Sequence, residues 1–149
     1  MKNVLIVCAG NICRSPMAEA LLKQYSAQQH WGLNISSAGL CAVKSVQPTS
    51  FACQVMRERE LDISQHMPHQ LTTSQLQQAE LILVMEKWQQ HELGYISPSA
   101  YGKVHLLGKW GAFDVPDPYR KSIATYEQTF CLIEKGLQEW IKRIWMLHV

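Results

Sequence analysis

The run Val4-Leu5-Ile6-Val7-Cys8-Ala9-Gly10-Asn11-Ile12-Cys13-Arg14-Ser15-Pro16-Met17-Ala18 decides the fold. Four consecutive aliphatic residues read as a buried strand, and Ser15-Pro16 before an apolar-periodic stretch reads as a helix start. The residues between them therefore join strand to helix. In such a loop the backbone N–H groups can turn inward as an anion cradle, with the positive end of the helix dipole behind them. Gly10 and Asn11 suit a ring this tight, because glycine and asparagine enter left-handed backbone most cheaply. Arg14 adds a planar two-pronged donor that matches phosphate oxygens. The same field favours the thiolate form of Cys8, which makes it a candidate nucleophile. A cysteine that only filled the core would leave Gly10, Asn11, Arg14 and Ser15 unexplained.

Working outward, strand-like and helix-like patterns alternate along the chain, which predicts a parallel sheet with helices on both faces. Met17, Ala18, Leu21, Leu22 and Tyr25 recur at helical spacing and predict a helix from about Pro16 to Gln29. Leu33 to Ile35 reads as a short second strand, followed by a polar loop from Ser36 to Leu40. Pro48 stands near the first turn of a helix that carries Phe51, Ala52, Val55 and Met56 on one side and ends near Glu60. Thr72 to Gln75 reads as the capped start of a short helix. Leu81-Ile82-Leu83-Val84 is continuously apolar, as a strand buried on both faces should be. Lys87 to Leu93 reads as helix and Val104 to Leu107 as a fourth strand. Tyr126, Phe130, Ile133, Leu137, Trp140, Ile141 and Ile144 keep to spacings of three and four, so a long last helix packs across the sheet.

Composition sets limits on function. The chain has 149 residues, the size of a single domain, and residues 1–149 are read as one. A net charge of +2 gives no broad electrostatic case for nucleic acid or for an anionic membrane surface, so any phosphate preference is local. The N-terminal apolar run is too short for a signal peptide or a membrane span, and a cytoplasmic location is expected. Five cysteines without framework spacing read as free thiols in a reducing compartment. Cys8 and Cys13 flank one loop, and a reversible disulfide between them would shield the nucleophile from over-oxidation.

In open parallel sheets ligands bind at the carboxyl ends of the strands. The loop at Cys8 lies at such an end, and so does Asp114-Val115-Pro116-Asp117-Pro118-Tyr119-Arg120 after the fourth strand. Asp114 and Asp117 compete for the role of acid. Pro118 holds Asp117 in extended backbone and makes it the preferred candidate.

The stretch from Val7 to Glu19, Asp117-Pro118-Tyr119, Ser37-Ala38-Gly39 and Leu81 to Glu86 together resemble the low-molecular-weight protein tyrosine phosphatases of the bacterial type. The resemblance spans the chain. It implies a four-stranded parallel α/β fold and metal-free, cofactor-free hydrolysis of phosphotyrosine through a phosphocysteine, with inorganic phosphate as product. By that likeness Cys8 is the nucleophile, Arg14 the phosphate clamp and Asp117 the general acid. The loop from Ala9 through Gly10, Asn11, Ile12 and Cys13 to Ser15 holds the phosphate. Asn11, Ser15, Ser37 and His66 resemble the supporting hydrogen-bond group, and Leu40 and Tyr119 the walls of the substrate crevice. One departure is His69, which stands where the family commonly has arginine. Bacterial members often act beside a membrane tyrosine kinase whose tyrosine-rich tail controls exopolysaccharide export, which is the partner the resemblance implies.

Other readings find less support. A thiol-dependent arsenate reductase needs a cysteine pair in the region of Leu81 to Glu92, where this chain has none. A phosphotyrosine-binding module without activity would lack the thiol or the acid. His66 and His69 have no third ligand near them in sequence to make a zinc site. Trp140, Ile144, Trp145 and Met146 beside Lys142 and Arg143 read as a core-facing helix end before a membrane contact. Gly102-Lys103 and Gly108-Lys109 lack the upstream glycine of a nucleotide-binding loop.

Overall fold

The computed structural model describes residues 1–42 and 46–146. Its strands are β1 (Asn3–Cys8), β2 (Asn34–Gly39), β3 (Leu81–Val84) and β4 (Val104–Leu106). Its α-helices are α1 (Arg14–Gln29), α2 (Ser50–Arg57), α3 (Thr73–Gln78), α4 (Lys87–Ile96) and α5 (Ile123–Ile144). All strand pairs are parallel, in the order β2-β1-β3-β4. The chain steps from β1 outward to β2 and then crosses back to β3 on the other side of β1. The winding thus reverses at β1, and the carboxyl end of β1 is the crevice where such sheets take ligands.

Alternation along the strands divides the core in two. Val4, Ile6 and Cys8 of β1, with Leu81, Leu83 and Met85, pack against α1, α2 and α5. Leu5 and Val7, with Ile82 and Val84, pack against Leu76 of α3 and Leu93 of α4. Both faces are covered, which is why β1 and β3 read as unbroken apolar runs.

Several expected boundaries differ from those observed: α4 runs on to Ile96 where Leu93 was expected, β4 stops at Leu106 where Leu107 was expected, and three further cases carry a physical reason. The first helix begins at Arg14, two residues before Pro16, because the N–H of Met17 already bonds to the Cys13 carbonyl at 3.2 Å. Arg14 and Ser15 are therefore fixed in a helical turn. β2 starts at Asn34 and extends through Ser36, Ser37 and Ala38 to Gly39, where a loop was expected. Its register, Leu5 opposite Ser36 through Cys8 opposite Gly39, shows that pairing with β1 overrides the weak strand preference of serine and glycine. α2 is shorter than expected and stops at Arg57, and Glu60 takes left-handed backbone at φ 62°. Phe51, expected on the buried side of α2, is partly exposed and meets Tyr126 edge-on at 5.6 Å. A 3-10 segment at Pro98–Lys103 was not expected at all.

Two expectations about the helices hold. Thr72 caps α3 through a capping box with Gln75. In α5, Tyr126, Phe130, Ile133, Leu137, Trp140 and Ile141 are buried. At its end Trp145 stacks on Trp31 at 5.9 Å and its indole N–H donates to the Met1 carbonyl, so these aromatics are used within the fold. Among the described residues no helix is long and apolar enough to cross a membrane.

Candidate active site

The loop between β1 and α1 is wound around Asn11. This residue is fully buried and left-handed at φ 60°, a conformation asparagine tolerates better than other residues with a β-carbon. Its side chain uses both ends of the amide. Nδ2 donates to Ser15 Oγ at 2.7 Å and to Ser37 Oγ at 3.0 Å. Oδ1 accepts from the backbone N–H of His69 at 2.8 Å and lies 3.1 Å from His66 Nε2. His66 Nε2 is also 3.2 Å from the Asn11 carbonyl, and since both neighbours are acceptors this nitrogen carries the hydrogen. Ser37 passes its own hydrogen to the Glu19 carboxylate, which lies 4.0 Å from His66 Nδ1 and is paired with Lys23. Burial pushes His66 below its ordinary value while Glu19 opposes the shift, so the ring works here as a neutral donor.

The Cys8 sulfur sits inside this ring. The N–H of Asn11 donates to Sγ at 3.3 Å, and Ser15 Oγ lies 2.9 Å away. Because Ser15 Oγ already accepts from Asn11, its hydrogen is free to point at the sulfur. Gly39 lets the loop lie this close to β2, since a β-carbon there would fall 2.8 Å from the Ala9 carbonyl oxygen.

Arg14 is only 2% exposed, and a guanidinium buried that deeply needs partners. Its NH1 donates to the Glu86 carboxylate and, at 2.8 Å, to the Val115 carbonyl. NH2 faces Asp117, whose Oδ2 is 3.8 Å away. The competition between the two aspartates is thus resolved by position. Asp114 accepts from the N–H of Lys87 at the start of α4, while Asp117 points to Arg14 and is 49% exposed. Asp117 Oδ1 also accepts from the N–H of Tyr119 at 3.0 Å, which turns the chain at the rim.

These groups line one cavity of about 220 Å³, formed by Cys8, Ala9, Gly10, Ile12, Cys13 and Arg14 on one side and Cys41, Asp117 and Tyr119 on the other. Asn11 and Ser15 stand behind the lining and brace it. Leu40, expected as a wall, instead packs against the core cluster of Leu5 and Val7, and the lining residue on that side is Cys41. The alternation of β2 explains this: carried one residue past Gly39, the Leu40 side chain turns to the far face. Cys8 and Cys13 are both free thiols. Burial pushes the Cys13 thiol up, and its sulfur lies 3.5 Å from Thr49 Oγ1 and 3.7 Å from the Tyr126 hydroxyl. Burial likewise pushes Tyr126 up to about 12.

Sequence reasoning missed Glu86, the Val115 carbonyl, Glu19 and Gln70. Gln70 braces the chain after β2, donating to the Leu40 carbonyl and accepting from the N–H of Ala42. For Glu86 a signal existed, a carboxylate at the carboxyl end of a central strand. His66 and His69 meet edge-on at 6.2 Å, and among the described residues no three His, Cys, Asp or Glu side chains gather as a metal site.

A sulfur held among hydrogen-bond donors, a buried arginine and a half-exposed carboxyl thus meet at one cavity. The sequence profile described as "Low molecular weight phosphotyrosine protein phosphatase" matches residues 3–146. The chain is 42% identical over 144 residues to the probable low molecular weight protein-tyrosine-phosphatase EpsP of Ralstonia solanacearum, covering 97% of each chain. It is 39% identical to the low molecular weight protein-tyrosine-phosphatase Wzb of Escherichia coli K12, covering 95% of each. The structure of Vibrio vulnificus Wzb in complex with benzylphosphonate superposes with a TM-score of 0.89 at 36% identity, covering 96% of this chain and 99% of that one. The chain belongs to the low molecular weight phosphotyrosine protein phosphatase family.

Proposed function

We propose that this protein-tyrosine phosphatase works through Cys8 as nucleophile, Arg14 as phosphate clamp and Asp117 as proton donor and acceptor. In the first step the Cys8 thiolate attacks phosphorus in line. The sulfur–phosphorus bond forms, the bond to the tyrosine oxygen breaks, and Asp117 gives its proton to that oxygen. The charge spread over the equatorial oxygens is met by the loop amides and Arg14. In the second step the Asp117 carboxylate takes a proton from water, whose oxygen attacks phosphorus. The sulfur leaves as thiolate toward the Ser15 hydroxyl, and inorganic phosphate is released. The observation that carries this reading is the Cys8 sulfur, bonded by Asn11 N–H and Ser15 in the cavity that Arg14 and Asp117 also line.

The Cys8→Ser enzyme should lose all turnover of an aryl phosphate and still bind inorganic phosphate by calorimetry. Turnover in that variant contradicts the assignment.

The substrate protein we assign is the tyrosine-rich tail of a membrane tyrosine kinase tied to exopolysaccharide export, met in the cytoplasm. Its support is the likeness to bacterial family members and a shallow rim on which Tyr119 is 46% exposed and open to a flexible tail. Incubation with the phosphorylated kinase should strip phosphate from tail tyrosines, read by mass spectrometry. Removal from other sites with the tail untouched contradicts the choice of partner. A Cys8–Cys13 disulfide is our proposal for protection against peroxide, since both thiols line the cavity. Inactivation by peroxide should then be reversed by a thiol reductant and should become irreversible in Cys13→Ser.

A further inference from the structure

We propose that Gln89 is a positioning residue for Arg14, because its single amide oxygen is the common root of both contacts that hold the guanidinium. Gln89 lies in the first turn of α4 and is fully buried. Its Oε1 accepts from the backbone N–H of Met85 at 2.9 Å and from that of Glu86 at 3.0 Å. Two paths lead from these bonds to Arg14. Along the first, the Glu86 backbone is fixed, and the Glu86 carboxylate accepts from Arg14 NH1. Along the second, Met85 is fixed, its carbonyl accepts from the N–H of Val115 at 2.8 Å, and the Val115 carbonyl accepts from the same Arg14 NH1 at 2.8 Å. The second path continues along the chain to Asp117, two residues on. One buried oxygen therefore sets the register between the end of β3 and the segment that carries the acid.

The other end of the same amide points to the same conclusion. Gln89 Nε2 is buried and has no hydrogen-bond partner among the described residues. A stranded amide nitrogen is unfavourable, and an apolar side chain of like length would avoid it. The residue's contribution lies in the oxygen, which meets two backbone donors at the turn from β3 into α4. Placement matters because a phosphate clamp acts only when its donors already stand where the equatorial oxygens will be, and errors on the order of 1 Å cost about a hundredfold in rate.

This inference rests on the proposed role of Arg14, and its test separates the two. Two variants are compared with the wild type: Gln89→Met, which removes the acceptor at similar length, and Gln89→Asn, which withdraws the oxygen by one methylene. For each, the inhibition constant of inorganic phosphate and kcat/KM for an aryl phosphate are measured beside the melting temperature. Gln89→Met and Gln89→Asn should weaken phosphate binding and lower kcat/KM by about 10- to 100-fold. Introduced into Arg14→Lys, which has no guanidinium to aim, Gln89→Met should add less than about threefold to the loss of phosphate affinity. Wild-type phosphate affinity in either acceptor-deficient variant overturns the proposal whatever the melting temperature does. So do equal losses from Gln89→Met in the wild-type and Arg14→Lys backgrounds. If Gln89→Met does not fold, Gln89→Asn decides by the same readings. A wild-type enzyme that does not bind phosphate at this cavity counts against the role of Arg14 itself.

Discussion

The loop that carries Cys8 and the loop that carries Asp117 face the same cavity and are built in opposite ways. In the first, Asn11 and Ser15 are fully buried and each is bonded to its neighbours, and Arg14 is held by Glu86 and Val115. In the second, Asp117 and Tyr119 are about half exposed, and the loop is shaped by one short turn between them. The contrast fits the roles proposed for the two loops. Donors that meet phosphoryl charge are effective when they need no reorganisation, which a buried and fully bonded cradle favours. A group that gives a proton to a leaving oxygen and then takes one from water must reach solvent, so the acid loop stays open.

The largest expected effect removes the function of the open loop alone. Asp117→Asn should lower kcat/KM for an aryl phosphate whose phenol has a pKa near ~10 by about 10²–10⁴, and much less when the leaving group is already acidic. Phosphate affinity should change little. Equal losses with both leaving groups would contradict the acid role. Next in size is an attack on the cradle. Asn11→Ala strands the His69 N–H and breaks the bonds to Ser15, Ser37 and His66, which should destabilise the fold by about 3 kcal/mol and weaken phosphate binding, read by denaturant melts and calorimetry. A variant as stable as the wild type would mean that the network does not hold the loop.

A smaller effect is expected from Gly39→Ala. Its β-carbon would meet the Ala9 carbonyl oxygen at 2.8 Å and Gly10 at 3.0 Å, and backbone on both sides leaves little room to yield. The cost should be about 1–3 kcal/mol, with turnover lost beside it, whereas a substitution in the acid loop such as Tyr119→Phe should leave stability unchanged. The smallest effect concerns pH. Burial holds His66 and His105 below the ordinary value of 6.5, with Lys109 adding to the shift at His105. The unfolded chain therefore binds more protons as pH falls. The stability these rings contribute is fully present above about 6.5 and is lost as pH falls through their folded values. Melting temperature should decline from about pH 7.5 to about pH 5, and more gently in His105→Gln. Only the His66 part should bring loss of phosphate affinity with it, because only His66 braces the cradle.

The sequence made the local features of this molecule plain and the distant ones obscure. Val4 to Val7, the loop after them, Leu81 to Val84 and the stripe along α5 are each set by neighbours in the chain, and each was readable. Ser36 to Gly39 became strand only through pairing with Leu5 to Cys8, which no local preference indicates. The same holds within the site. Cys8, Arg14 and Asp117 were visible as chemistry, whereas the groups that aim them come from far along the chain: Glu86, the Val115 carbonyl and the His69 N–H. Backbone partners carry no residue signature, so they are the part of an active site that sequence hides longest. The packing of Leu40 on the Leu5 and Val7 cluster was hidden for a related reason, since its direction depends on how far β2 runs.

The most direct test is to quench the enzyme rapidly during turnover of an aryl phosphate and locate the bound phosphate by mass spectrometry. The account predicts phosphate on the Cys8 sulfur, most abundant in Asp117→Asn with an aryl phosphate whose leaving group is already acidic, because formation is then spared while hydrolysis is slowed. Phosphate on any other residue, or none on a turning-over enzyme, would contradict it.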